Sequence, residues 1–254
     1  MSPRREEPLE VYTVTFHPPD DSWLSSARHH DLRMELAAVA VDAVEAGRER
    51  PMIVFPAGFL RTPSADSRDG LASSMLELAL RADVGLAFGI DIGSDEAWAP
   101  IAGTPQSFGY LCDGGKLRLW TVEQLRSPTS RRGIANRCVS WCGRRAALLL
   151  SGEVFNLPLR KTLAEQRPDV ILHLTHVGPN ERWLAAMEEL NRIAPVVIAG
   201  ETRATDAPLW AQRASGWVVE AIAETRSMSL HRHRHIETDP HFADDESDSP
   251  AAGP

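Results

Sequence analysis

The chain has 254 residues, 43% of them hydrophobic, and a formal net charge of −8, which provides for one α/β domain or two small ones. Much of the acid is terminal: Glu237, Asp239, Asp244, Asp245, Glu246 and Asp248 stand without a Lys or Arg among them. The body is close to neutral, so there is no bulk electrostatic case for nucleic acid, and no apolar run is long enough to span a bilayer.

Residues 1–8 read as a disordered N-terminus without the apolar stretch of a signal peptide. LEVYTVTF (9–16) alternates and is β-rich, which predicts a first strand. PPDDSW follows as a loop. A helix is expected from about 27 to 46, with Leu32, Leu36, Val39, Ala43 and Ala46 at helical spacing and Gly47 as its stop. PMIVFPAGF (51–59) reads as a short strand ended by Pro56, residues 61–70 as a polar loop, and residues 71–82 as a second helix. VGLAFGIDIG (84–93) is a buried strand, and residues 106–120 are two strands around Asp113-Gly114-Gly115. RAALLLS (145–151) is another buried strand. Asn156 is expected to cap the helix that holds Leu159, Leu163 and Ala164, with Pro158 in its first turn. DVILHLTH (169–176), PVVIAGE (195–201), 215–224 and 227–236 read as strands, and 181–194 as a helix. The acidic end, 237–254, reads as a disordered tail.

One hairpin and a closing strand pair interrupt the alternation of strands and helices. The expected class is therefore a mixed-sheet, layered α/β domain over residues 9–236. No G-x-G-x-x-G opens a helix after the first strand and no P-loop occurs, so no nucleotide cofactor is expected. The three cysteines, Cys112, Cys138 and Cys142, fit a reducing cytoplasm better than a disulfide framework. Cys138 and Cys142 have C-x3-C spacing but no second ligand pair nearby, which reads as buried structural thiols rather than a metal site.

Four segments carry a resemblance. IVFPAGF, GYLCDGGKLRLWTVEQL, the stretch RRAALLLSGEVFNLPLRKTLAEQRPDVILHLTH, and the pair PVVIAGE and SGWVVEAIAE occur in an order and spacing similar to those of the carbon–nitrogen hydrolase, or nitrilase, superfamily. The resemblance spans residues 9–236. It implies an α-β-β-α sandwich, hydrolysis of a nitrile or amide bond or acyl transfer, no cofactor, and pairing of two subunits into a homodimer. It also implies a Glu-Lys-Cys triad, whose positions fall on Ala57, Val122 and Ser151. All three are substituted. The chain's lysines are Lys116, in the hairpin turn, and Lys161, past the elbow, and neither occupies the family position.

The substitutions bear on the chemistry. A thiolate is accessible from a thiol pKa of about 8.5, whereas a serine hydroxyl depends on a positioned base. Ala57 carries no proton acceptor and Val122 no charge. Loss of a base typically removes about 10²–10⁴-fold of rate, and loss of an electrostatic stabiliser on the order of 10²–10³ more. The first reading is therefore a catalytically degenerate member of the superfamily, kept for binding, scaffolding or regulation. The alternative is an active carbon–nitrogen hydrolase that uses Ser151 with a rearranged base. His173 and His176 lie on the strand after the elbow, at an odd spacing that puts them on opposite faces, so that one of them could approach Ser151, with Glu153 or Glu201 to orient it. Glu153 also reads as a brace of the elbow. Ser151 lacks the G-x-S-x-G setting of the serine hydrolases.

A third reading rests on HRHRH. In a strand His231, His233 and His235 share a face, where zinc or nickel could bind with His241 as a further ligand. The plain alternative is a polar edge strand at a subunit contact. Trp98, Trp210 and Trp217 are candidates to rim a pocket or an oligomer surface, with core packing an equal contender for Trp217.

Overall fold

A computed structural model describes residues 9–17, 30–44, 50–62, 64–92, 107–113, 116–122, 137–176, 181–200 and 217–235. The alternation in the first strand, β1 (Glu10–Phe16), divides its side chains between two cores. Val11 enters one, and Tyr12, Val14 and Phe16 the other. β2 (Met52–Val54) runs parallel to β1, and β4 (Gly85–Ile92) parallel to β2. β3 (Leu60–Thr62) pairs with the last part of β4. β5 (Ser107–Asp113) and β6 (Lys116–Val122) extend this sheet antiparallel on one side. On the other side β12 (Met228–His235) pairs antiparallel with β1, and β11 (Trp217–Glu224) with β12. The order is β11-β12-β1-β2-β4-β5-β6, with β3 beside β4.

The second sheet has the order β10-β9-β8-β7. β8 (Arg144–Leu150), β9 (Val170–Leu174) and β10 (Val196–Ala199) are parallel, and β7 (Cys138–Trp141) joins β8 as a hairpin. The two sheets face each other across Val11, Val54, Ala87 and Leu111 on one side and Leu148, Leu150, Leu172 and Val197 on the other. Helices α1 (His30–Asp42) and α2 (Ala65–Ala82) cover the outer face of the larger sheet, packing Leu36, Ala40, Met75 and Leu78 on Val14, Phe16 and Phe88. α3 (Leu157–Gln166) and α4 (Glu181–Asn191) cover the smaller sheet through Leu159, Leu163, Met187 and Leu190. The layers are helix, sheet, sheet, helix, which is the expected α-β-β-α sandwich with mixed sheets. Because both faces of the central strands are covered, they read as continuous apolar runs.

Three expectations are corrected. The polar segment 61–70 is not a loop: it holds β3 and the first turns of α2. Ser64 caps that helix by accepting the Ser67 N–H at 3.2 Å, and Asp66 stands in its first turn. The first helix, expected to run to 46, ends at Asp42. β7 was not expected at all. Its hairpin turns on Cys142 and Gly143, with φ of 49° and 78°, the two left-handed residues that a tight hairpin of the right twist needs. The expected N-terminal segment 1–8 and acidic tail 237–254 lie outside the described residues, as do Trp98, Glu201, Trp210, His241 and the side chains of Val122, Trp217 and His235.

Candidate active site

The C-terminal ends of β4, β8 and β9 lie together, and the segment that follows β2 runs beneath them. In open α/β sheets such strand ends are where ligands bind. β8 stops at Leu150, and the chain turns sharply into a single 3-10 turn, Ser151–Phe155. Ser151 has φ of 38°, a left-handed conformation that a non-glycine residue holds only at a cost of about 1–3 kcal/mol, met by surrounding contacts. Those contacts are visible. The Glu153 carboxylate accepts the Leu150 N–H at 2.9 Å and the Arg137 guanidinium at 2.8 Å, and both partners of that ion pair are buried. The expected brace role of Glu153 thus has a geometry.

The Ser151 hydroxyl lies 2.5 Å from Nδ1 of His176, and Nε2 of His176 lies 2.8 Å from Oδ2 of Asp91. Asp91 points from β4 of the larger sheet toward the smaller one. The Ser107 hydroxyl donates to it at 2.8 Å, and the Arg61 guanidinium stands 3.7 Å away. Burial pushes the Asp91 carboxyl upward, but the imidazole of His176, the charge of Arg61 and the Ser107 hydroxyl outweigh it, and the net shift is below the usual carboxylate range. An ionised Asp91 accepts a hydrogen bond from His176 Nε2–H. That leaves the Nδ1 lone pair for the serine hydroxyl. The result is a serine–imidazole–carboxylate relay, with the two ring nitrogens exchanged relative to the serine-protease arrangement.

Room for the imidazole comes from the segment after β2. Gly58 has φ of 63°, and a Cβ there would stand 2.4 Å from Asp91 Oδ2 and 2.9 Å from His176 Cδ2. Gly89 lets β4 approach from below, since its Cβ would meet the Ala57 Cα at 2.7 Å. The buried Arg33 guanidinium donates to the carbonyls of Gly58 and Phe59, each at 2.8 Å, and packs over the Phe16 ring.

The expected residues are only partly brought together. Ser151 and His176 meet. Ala57 is buried in the inter-sheet core beside Gly58, where it has no proton to exchange. Val122 ends β6 opposite Phe108. The Glu153 carboxylate engages Arg137 and the Leu150 N–H, and the carboxylate at His176 Nε2 is that of Asp91. His173 faces the helices and not the hydroxyl, its ring 5.0 Å from that of Trp183. The two rings do point to opposite sides, His173 to Trp183 and His176 to Asp91, but His176 lies beyond the end of β9 at Leu174, so strand alternation is not what directs it. Asp91, Ser107, Arg61 and Arg137 were missed. Asp91 carried a signal, a lone acid within the apolar run GLAFGIDI, since a buried carboxylate needs a partner.

The histidine-strand reading meets a different geometry. The His233 ring is buried with Nε2 on the Thr13 hydroxyl at 2.7 Å, and His17 Nε2 lies 2.8 Å from the Ser229 hydroxyl. Among the described residues no three His, Cys, Asp or Glu side chains converge on a metal position. Burial pushes the thiols of Cys112 and Cys142 up to about 12, so neither is a ready thiolate. No helix among the described residues is long and apolar enough to cross a membrane.

No family model matches the sequence, and no curated protein matches it. Solved structures do match. An amidase from Nesterenkonia sp. superposes with a TM-score of 0.56 at 15% identity, over 89% of each chain. A cysteine-to-alanine variant of the Nesterenkonia AN1 amidase, of the nitrilase superfamily, gives 0.54 at 16% over 76% of each chain. A form of the Nesterenkonia sp. AN1 amidase with glutamate and cysteine both replaced, in complex with acrylamide, gives 0.54 at 17% over 78% of each. At such identities the likeness is one of fold: the chain has the fold of nitrilase-superfamily amidases.

Proposed function

We propose that the chain is an acyl hydrolase of the carbon–nitrogen hydrolase superfamily, with Ser151 as nucleophile, His176 as general base and acid, and Asp91 as the orienting carboxylate. The observation that carries this reading is the relay itself, at 2.5 Å from Ser151 to His176 and 2.8 Å from His176 to Asp91. The substrate class is a carboxylic amide or ester. Ser151 Oγ bonds to the acyl carbon as its proton passes to Nδ1 of His176. The amine or alcohol leaves with that proton, giving an acyl-serine. A water then gives its proton to the same nitrogen, adds to the acyl carbon and releases the acid, and Nδ1 returns the proton to Ser151. Asp91 holds Nε2–H throughout and stabilises the charged imidazolium. A nitrile is a poorer substrate for this relay, because its nitrogen carries no hydrogen and must take up three protons before ammonia can leave, where a primary amide nitrogen takes up one.

The reading keeps the family's kind of reaction and its nucleophile position. It replaces the activating groups at Ala57 and Val122 with groups from the ends of β9 and β4. A second reading, a catalytically silent binding or regulatory protein on the same fold, is favoured by the loss of the base at Ala57. Pairing of two copies belongs to the proposal as well: light scattering at twice the chain mass supports it, and a monomer mass removes it. Hydrolysis of short aliphatic amides and p-nitrophenyl esters separates the two functional readings. Turnover by the wild-type chain that falls by at least about 10³-fold in Ser151→Ala supports the hydrolase. Equal background rates from both proteins favour the silent fold.

A further inference from the structure

Ser151 is approached by imidazoles from both sides. β8 and β9 are parallel with Leu149 opposite His173 and Leu150 opposite Leu174, so the residue after Leu150 lies between His173 and His176. The two rings lie on opposite sides of the sheet, His173 against Trp183 and His176 against Asp91. His176 reaches the hydroxyl from the inter-sheet side. His173 reaches the Ser151 carbonyl from the helix side, with Nε2 at 2.9 Å. A carbonyl only accepts, so Nε2 of His173 carries the proton and the ring is the Nε2–H tautomer. The ring is fully buried and is packed by Trp183, which also stacks edge-on against Phe155 of the elbow. Its Nδ1 has no hydrogen-bond partner, although the atom is buried. A buried polar atom left unpaired asks for a reason.

We propose that His173 is a positioning residue for the reaction: its Nε2–H clamps the Ser151 carbonyl and thereby fixes the left-handed turn that aims the hydroxyl at His176. The role rests on the reading of Ser151 as nucleophile. It requires a donor with the reach of Nε2 and does not require a titrating group. Burial holds the ring neutral, with a pKa lowered to about 4 although the Ser151 carbonyl opposes the shift, so the clamp persists through the neutral range. A proton gained at Nδ1 would put a charge among apolar groups.

The test compares the wild-type chain with His173→Phe, which keeps the ring volume and loses the donor, and with His173→Gln, whose amide N–H extends to the same place. The probes are a fluorophosphonate, for the rate at which Ser151 is modified, and p-nitrophenyl acetate, for kcat and KM. His173→Phe is expected to lower kcat and the modification rate on the order of 10–100-fold, as a small misplacement of a reacting atom does. KM is expected to change little, and His173→Gln to recover most of the loss. A Phe variant as fast as wild type overturns the role. So does a loss that Gln does not recover and that follows a fall in melting temperature, since that pattern belongs to packing alone. A wild-type chain that neither reacts with the fluorophosphonate nor turns over the ester overturns the proposed function, and this role with it.

Discussion

A methyl group at Gly58 is the smallest change that reaches the relay. Gly58→Ala would set a Cβ 2.4 Å from Asp91 Oδ2 at φ of 63°, so the carboxylate or the imidazole must move. The expected stability loss is about 1–3 kcal/mol by thermal or urea unfolding, with kcat/KM down on the order of 10²-fold; wild-type values for both would contradict the packing. Asp91→Asn preserves the shape but no longer fixes Nε2–H, and kcat is expected to fall about 10²–10⁴-fold without unfolding. The buried imidazoles make a separate prediction about pH. His173 and His233 are both lowered to about 4 by burial, with His231 adding to the shift at His233. Their unfolded values are about 6.5. Stability is therefore complete above that pH and falls toward pH 4 as the unfolded chain takes up protons that the folded chain refuses. Asp91, lowered in the fold, loses its own contribution only below the ordinary aspartate range. A urea midpoint that is level above pH 7 and falls between 6.5 and 4, less steeply in His233→Leu, is the expected outcome. A midpoint unchanged over that interval would contradict it. Individual residues were the least legible part of the sequence. Asp91, Ser151 and His176 are far apart in the chain, and residue types alone do not tell which strand ends meet.

The element that carries the nucleophile is the unit from β8 through the 3-10 turn to α3. It is held at two points. Asn156 accepts the Leu159 N–H at 3.2 Å and caps α3, as its position before Leu157-Pro158 predicted. The second point is the Arg137–Glu153 pair at 2.8 Å, which joins the residue just before β7 to the elbow. Removing one partner of a buried pair leaves an unpaired charge, so Arg137→Met is expected to cost about 3–5 kcal/mol. The double change Arg137→Met with Glu153→Leu should recover part of that loss in urea unfolding, less the lost hydrogen bond to the Leu150 N–H; equal losses in the single and double variants would mean that the pair is not coupled. At this scale the sequence was more informative. Buried runs such as RAALLLS and DVILHLTH gave β8 and β9 because both faces of their sheet are covered. β7 escaped notice because four residues offer too short a pattern, and the early start of α2 escaped because Ser64 and Asp66 sit in a stretch of turn-forming residues.

For the whole molecule, the inter-sheet core decides where the chemistry stands. Stacking the sheets through Ala87, Leu111, Leu148 and Leu172 lays the end of β4 over the ends of β8 and β9. Asp91 therefore comes from one sheet, and Ser151 and His176 from the other. The sandwich was legible through the order of four sequence phrases, each weak alone. The same resemblance assigned the triad positions to Ala57, Val122 and Ser151, but it was silent on the proposed base and carboxylate, because His176 and Asp91 occupy positions to which the family pattern assigns no role. The central claim is that Ser151 is an activated nucleophile. The most direct measurement is the intact mass of the chain after exposure to a fluorophosphonate, with the modified peptide sequenced. The account predicts one adduct per chain, on Ser151, absent from Ser151→Ala and formed about 10²–10⁴-fold more slowly in His176→Ala. A folded wild-type chain that gains no mass, or that is modified at the same rate without His176, would contradict it.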